Sequence, residues 1–222
     1  AARIYGISHK NESVSENLAR LFKSKKKAKS VQIGLLHCNI SGSSHYEYAP
    51  CVLDDLKRAG MDYWALGHIH KTEVVHKENP VVIYAGNPQG RKFSESGERG
   101  CYLVNVEDTG EMQFEFIPVD EIRFSDMKEL DISGITSLSG VLDLLRNRCE
   151  EAKSLADGRS LIVKGSLTGR TKIHKELHDA NLNEIVETFN ADSSLNNPFV
   201  IIASLKRETK PDADLAAIRE SG

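Results

Sequence analysis

Asp62-Tyr63-Trp64-Ala65-Leu66-Gly67-His68-Ile69-His70 reads as an apolar strand that stops in a Gly-His-x-His tip. Upstream, Val31-Gln32-Ile33-Gly34-Leu35-Leu36 is a second apolar strand and stops at His37. Between them lies a helix with Pro50 in its first turn, Val52, Leu53 and Leu56 on its buried face, and Gly60 as its stop. The order strand, helix, strand predicts a right-handed crossover between parallel neighbours. Parallel neighbours present their carboxyl ends on one sheet edge, where open sheets hold ligands. His37 and His68 are therefore expected to meet there. Val31 to Leu36 is so uniformly apolar that both faces of its strand are expected to be covered.

Neutral imidazole is the commonest nitrogen ligand of catalytic transition metals. Gly67 is expected to let the backbone turn sharply, and Ile69 to send the two rings to different positions. His37, His68 and His70 are the candidate metal ligands. Two ions about 3.5–4 Å apart suit phosphodiester hydrolysis. Three histidines do not hold two such ions without carboxylates, and Asp54, Asp55 and Asp62 read as helix-surface and strand-start residues. The chain carries half a site. His9, His45, His76, His174 and His178 read as ordinary surface or structural groups. His45 is the most interesting of them, since it shares a loop with Tyr46 and Tyr48.

Arg3 to Ile7 predicts a further strand, and Ser13 is expected to cap a helix running to Lys23, with Leu18, Leu21 and Phe22 on one face. Lys23, Lys25, Lys26, Lys27 and Lys29 form a basic connector that reads as a solvated loop. Beyond His70, Glu73–His76, Val81–Tyr84, Cys101–Val106 and Met112–Pro118 read as an antiparallel set. The Gly/Pro-rich loop from Ala85 to Lys92 begins near the histidine edge. Val119 to Gly140 reads as an irregular, acidic connection. A helix from Val141 to about Ala156, a strand from Ser160 to Thr168, a short helix from Lys172 to Ala180 and a strand from Pro198 to Leu205 then make a small α+β unit. Arg207 to Gly222 is charged and reads as peripheral.

Hydrophobic residues make up 40% of the 222 residues and charged ones 27%, an ordinary folded profile. A net charge of -3 gives no general attraction to nucleic acid, so any DNA contact must be local. No apolar run approaches the roughly 20 residues of a membrane helix, and the first residues read as a strand rather than a signal peptide. Cys38, Cys51, Cys101 and Cys149 are widely spaced and read as small buried thiols in a reducing cytoplasm.

Leu35-Leu36-His37, Gly67-His68-Ile69-His70 and Tyr84-Ala85-Gly86-Asn87-Pro88-Gln89 together resemble the later motifs of the calcineurin-like metallophosphoesterases. More narrowly the chain resembles the SbcD-type DNA repair exonucleases, nearest their YhaO-like branch. The loop from Asn39 to Ser44, the turn Gly97-Glu98-Arg99-Gly100 and the segment from Leu161 to Thr171 fit that narrower likeness. The resemblance implies an α/β (α+β) fold. Residues 1–118 would be the C-terminal half of a metallophosphoesterase β-sandwich flanked by helices, 119–208 a capping, DNA-binding α+β domain, and 209–222 a charged tail. It implies two divalent ions, most readily Mn2+, with His37 and His68 on one ion and His70 on the other. The family's Asp-x-His, Gly-Asp-x-x-Asp and Gly-Asn-His-Asp motifs are not in this sequence, so the bridging Asp and the acid-base His are expected in an N-terminal half outside it. The implied function is that of a subunit of a DNA double-strand-break repair exonuclease. It would be cytoplasmic, homodimeric and partnered by an SbcC-type ATPase, with this chain alone inactive. Arg91, Lys92, Arg170 and Lys172 are the candidate DNA contacts, each able to neutralise one phosphate. A phosphoesterase of nucleotides or small phosphodiesters, and a non-catalytic scaffold, are the alternatives.

Overall fold

Why the apolar strands lie side by side is a matter of hydrogen bonds and burial. Each buried backbone N–H and C=O needs a partner, and a parallel ladder supplies it while stacking the apolar side chains. The structure is a computed structural model and describes residues 1–9, 11, 13–24, 30–40, 48–193 and 196–212. It is mixed α/β and divides into two units, one of residues 1–88 and 99–119, the other of residues 89–98 and 120–222.

In the first unit, β1 (Ala2–Gly6), β2 (Val31–His37), β3 (Tyr63–Gly67), β4 (Glu73–His76) and β5 (Val81–Tyr84) form one sheet in the order β1-β2-β3-β5-β4. All its pairs are parallel except β4 with β5. Helix α1 (Leu53–Arg58) makes the crossover between β2 and β3. Its core is Leu18, Phe22, Leu36, Leu56, Met61, Trp64, Leu66, Val82 and Tyr84. Trp64 lies at the centre, fully buried, its Nε1 donating to the Leu56 carbonyl at 3.2 Å. A separate antiparallel pair, β6 (Gly100–Val106) and β7 (Met112–Pro118), completes the unit. The four strands beyond His70 are thus not one antiparallel set, because β5 joins β3 in parallel.

Three local expectations are corrected. Residues 13–23 contain only a 3-10 turn at Leu18–Leu21, since Val14 accepts from Ala49 N and the Asn17 amide is drawn to Asp55 at 2.7 Å. Leu18 and Phe22 are buried from that turn, whereas Leu21 is 62% exposed. Helix α1 begins after Pro50, and Val52 is its exposed N-cap, its N–H held by the Asp55 carboxylate. Strand β2 buries Gln32, Gly34 and Leu36 on one face only; Leu35 on the other is 43% exposed.

The second unit is a parallel sheet ordered β10-β9-β8, built from β8 (Ile122–Asp131), β9 (Ser160–Thr171) and β10 (Val200–Pro211). Helices α2 (Leu138–Ser154), α3 (His174–Asp179) and α4 (Leu182–Ser193) supply its other elements. Leu145, Leu161, Val163, Leu167, Leu177 and Ile202 form its core. Strand β8 occupies much of the stretch read as irregular, and β10 runs on to Pro211, so Arg207 is strand rather than tail. Asp120, fully buried, pairs with Arg123 at 2.8 Å and Arg159 at 3.2 Å and so anchors the starts of β8 and β9. Three thiols are buried as expected, but Cys101 is exposed on β6. The lysines at 25–27 and 29, His45 and Tyr46 lie outside the described residues. No described helix is long and apolar enough to cross a membrane.

Candidate metal centre

Strands β1, β2 and β3 end together because each is in register with its parallel neighbour: Gly6 lies opposite Leu35, and His37 opposite Gly67. Their ends border an open cleft of about 490 Å3, lined by Gly6 to Ser8, Leu35 to His37, Ala65 and Gly67. His37 closes β2 and His68 follows β3, and their ring centres stand 5.3 Å apart at 76°. Gly67 serves this approach through space rather than through a turn. A Cβ there would fall 2.9 Å from His37 Nδ1, while the left-handed backbone sits one residue later, at His68 with φ 94°. A left-handed non-glycine residue costs of order 1–3 kcal/mol and is kept where surrounding contacts hold it.

His37 has its proton affinity lowered, first by burial and then by the neighbouring His68, His9 and His70. That keeps its ring neutral, with a lone pair to give, at neutral pH. His70 is exposed, and its backbone anchors the next loop. The His70 carbonyl accepts from Arg99 Nη1 and from Asn87 N, and Arg99 Nη1 also reaches Asn87 Oδ1 at 3.0 Å. Gly86 is required beneath this junction: its φ is +78°, and a Cβ would fall 2.7 Å from the His70 carbonyl oxygen.

Two further rings belong to the cluster. Tyr48 stacks on His9 at 4.7 Å and on His68 at 5.3 Å, and meets His37 edge-on at 5.4 Å. His9 stands edge-on to His37 at 5.6 Å, and both its nitrogens are buried without a hydrogen-bond partner. Sequence reading passed over His9, Tyr48, Asn87 and Arg99 as site residues. The signal for His9 was present: it follows the end of β1, so the argument that placed His37 and His68 at this edge applies to it. Arg99 gives no signal in sequence, since its role depends on where the 97–100 turn lands.

With metal–nitrogen bonds of about 2.1 Å, two imidazoles on one ion set their ring centres roughly 5 Å apart. The His37–His68 pair fits that spacing. Among the described residues, no group of three or more His, Cys, Asp or Glu side chains is arranged to hold a metal ion. The described residues therefore provide a histidine pair, with His70 beside it, and not a full donor set.

The four candidate DNA contacts all fall in the second unit. Arg91 is exposed, and its N–H donates to Glu95; Lys92 precedes the 3-10 turn Phe93–Glu95. Exposed Arg170, near the end of β9, donates to the Pro211 carbonyl at 3.1 Å, and Lys172 follows the strand.

Residues 127–210 match the family described as the middle domain of metallophosphoesterase YhaO. Over 216 residues, 96% of its length, the chain is 32% identical to a protein of Bacillus subtilis (strain 168) called an uncharacterized metallophosphoesterase, YhaO. The chain spans about half of that relative, 52% of its length. These matches support a metallophosphoesterase.

Proposed function

We propose that this chain is the histidine-bearing part of a metallophosphoesterase, and that the whole protein hydrolyses phosphodiester bonds in DNA. The observation that carries the reading is the pair of imidazoles, His37 and His68, brought to 5.3 Å at the ends of adjacent parallel strands. His37 and His68 would hold one divalent ion, manganese by preference, and His70 would serve a second. A divalent ion bound there supplies Lewis acidity and acidifies a water for attack on phosphorus. The protein's own part is positional. The neutral His37 ring offers its lone pair, the Tyr48 ring buttresses His37 and His68, and Arg99 holds the Asn87 loop against the His70 backbone. The bridging carboxylate and the acid-base group would come from outside this chain.

DNA as substrate is supported by the exposed cations Arg91 and Arg170, with Lys92 and Lys172 beside them, each able to meet a phosphate without reading sequence. The protein would act as a cytoplasmic exonuclease subunit in double-strand-break repair, as a homodimer with an SbcC-type ATPase. The second reading is a scaffold without catalysis, which would hold if no further donors join His37 and His68 in the whole protein.

The deciding experiment measures manganese-dependent nucleotide release from end-labelled duplex DNA by the longest product of the parent gene, beside His68→Ala. A chromogenic phosphodiester is run in parallel. Release that disappears in the variant is the expected result. Turnover of the small diester alone would move the assignment to small substrates, and no turnover of either would leave the scaffold.

A further inference from the structure

The edge of the second unit's sheet is protected along only part of its length. Strand β10 is an outer strand, and its first residues turn backbone groups outward to α4. There Asn190 stands in for a neighbouring strand: Nδ2 donates to the Ile202 carbonyl at 2.9 Å and Oδ1 accepts from Ile202 N at 2.8 Å. The Ser193 hydroxyl does the same for Val200. The pairing with β9 shifts register between Ile202 and Ser204, and the protection stops. Asp212 N donates to Thr171 O on β9, which fixes the alternation of the strand. Lys206, Glu208 and Lys210 bond to β9, while Leu205, Arg207 and Thr209 turn their N–H and C=O away from it. No described residue outside β10 bonds to those outward groups. Beside them runs a cleft of about 490 Å3, bounded by Leu205 to Glu208 and by Ala180 to Asn183. Pro211, with no N–H, ends the row of donors.

Lys206, Glu208 and Lys210 alternate in sign along the open face. We propose that this edge binds the same edge of a second copy of the chain, antiparallel, with the two-fold axis through Arg207. In that register Leu205 faces the second copy's Thr209 and Arg207 faces its own counterpart, so every outward group finds a partner. Lys206 lies opposite the second copy's Glu208, and Glu208 opposite its Lys206. An axis through Glu208 would instead set Glu208 against Glu208 and Lys206 against Lys210. An axis through Thr209 would set Pro211 against Arg207 and lose a donor. The Arg207 guanidinium is directed elsewhere, onto the Leu177 and His178 carbonyls, so two facing Arg207 backbones do not bring their charges together.

Sedimentation velocity of the full 222-residue chain across a concentration series tests this, with Lys206→Glu, Glu208→Lys and the double variant. The expected result is a reversible monomer–dimer equilibrium. Each single substitution puts like charges opposite one another twice per dimer and weakens association roughly two- to thirtyfold. The double variant restores the pairs and the affinity. Both side chains are exposed, so the substitutions leave the core intact, which circular dichroism checks. A chain that stays monomeric at every concentration overturns the proposal. So does a dimer indifferent to the single substitutions, or a double variant no tighter than its parents.

Discussion

His68 keeps a side chain where the backbone favours glycine, and the reason lies in what its ring touches. Stacked on Tyr48 and edge-on to His37, it is held at φ 94° by the aromatic cluster at the sheet edge. Gly67 makes the neighbouring approach possible. Gly67→Ala would drive a methyl to within 2.9 Å of His37 Nδ1, so the imidazole must leave. Under the proposed function the expected outcome is divalent-metal binding weakened at least tenfold with the fold retained, measured by isothermal titration and circular dichroism. His37 also sets a pH dependence. Its proton affinity is lowered in the folded state, by burial first and then by three neighbouring histidines, so the unfolded chain binds the proton more readily. Stability from this group is therefore present above the ordinary histidine range, about 6.5, and is lost as pH falls below it. Urea midpoints at pH 7.5 and 5.5 should differ in that direction, and His37→Gln should flatten the difference. Position was legible here in sequence because strand ends in a parallel sheet coincide. The partners were not, since stacking on Tyr48 and clamping by Arg99 arise from loops whose course no periodicity encodes.

Among elements, α1 has only six residues and owes its place to one carboxylate. Asp55 is almost wholly buried, which by itself raises its proton affinity, but the Asn17 amide, Val52 N–H and Arg20 outweigh burial and lower it. Asp55→Asn keeps the shape and removes the charge, with an expected loss of roughly 2–3 kcal/mol in urea unfolding. The sign again follows from linkage: this contribution is present above the ordinary aspartate range, near 3.9, and disappears as pH falls through the lower folded value. Reading Asp55 as a helix-surface residue missed this. The same bond network takes the place of the expected helix at 13–23, where the Asn17 amide binds Asp55 and the Val14 carbonyl accepts from Ala49 N. Strand β8 escaped notice for another reason. Arg123, Asp126 and Glu129 interrupt its apolar pattern, and a bulge between Asp126 and Glu129 breaks its period. Strands β2, β3 and β9 were legible because no bulge in their own backbone breaks the period of their inward residues.

For the whole molecule, two cores with separate membership imply two unfolding units. The single tryptophan, Trp64, sits in the first and reports on it alone. Leu145, fully buried in the second core, offers the contrast. Leu145→Ala is expected to cost about 2–5 kcal/mol and to lower the circular-dichroism transition while leaving the Trp64 fluorescence transition in place. Coincident shifts in both signals would mean that the cores melt together. The cysteines provide a second, slower view of the same division. Cys101 stands in solvent, Cys38 and Cys51 are sealed in the first core, and Cys149 is sealed in the second. A thiol-reactive dye added to the native chain should therefore modify Cys101 at once. The remaining thiols then act as clocks, since each can react only when its own core opens, and their labelling rates measure how often each half of the molecule breathes.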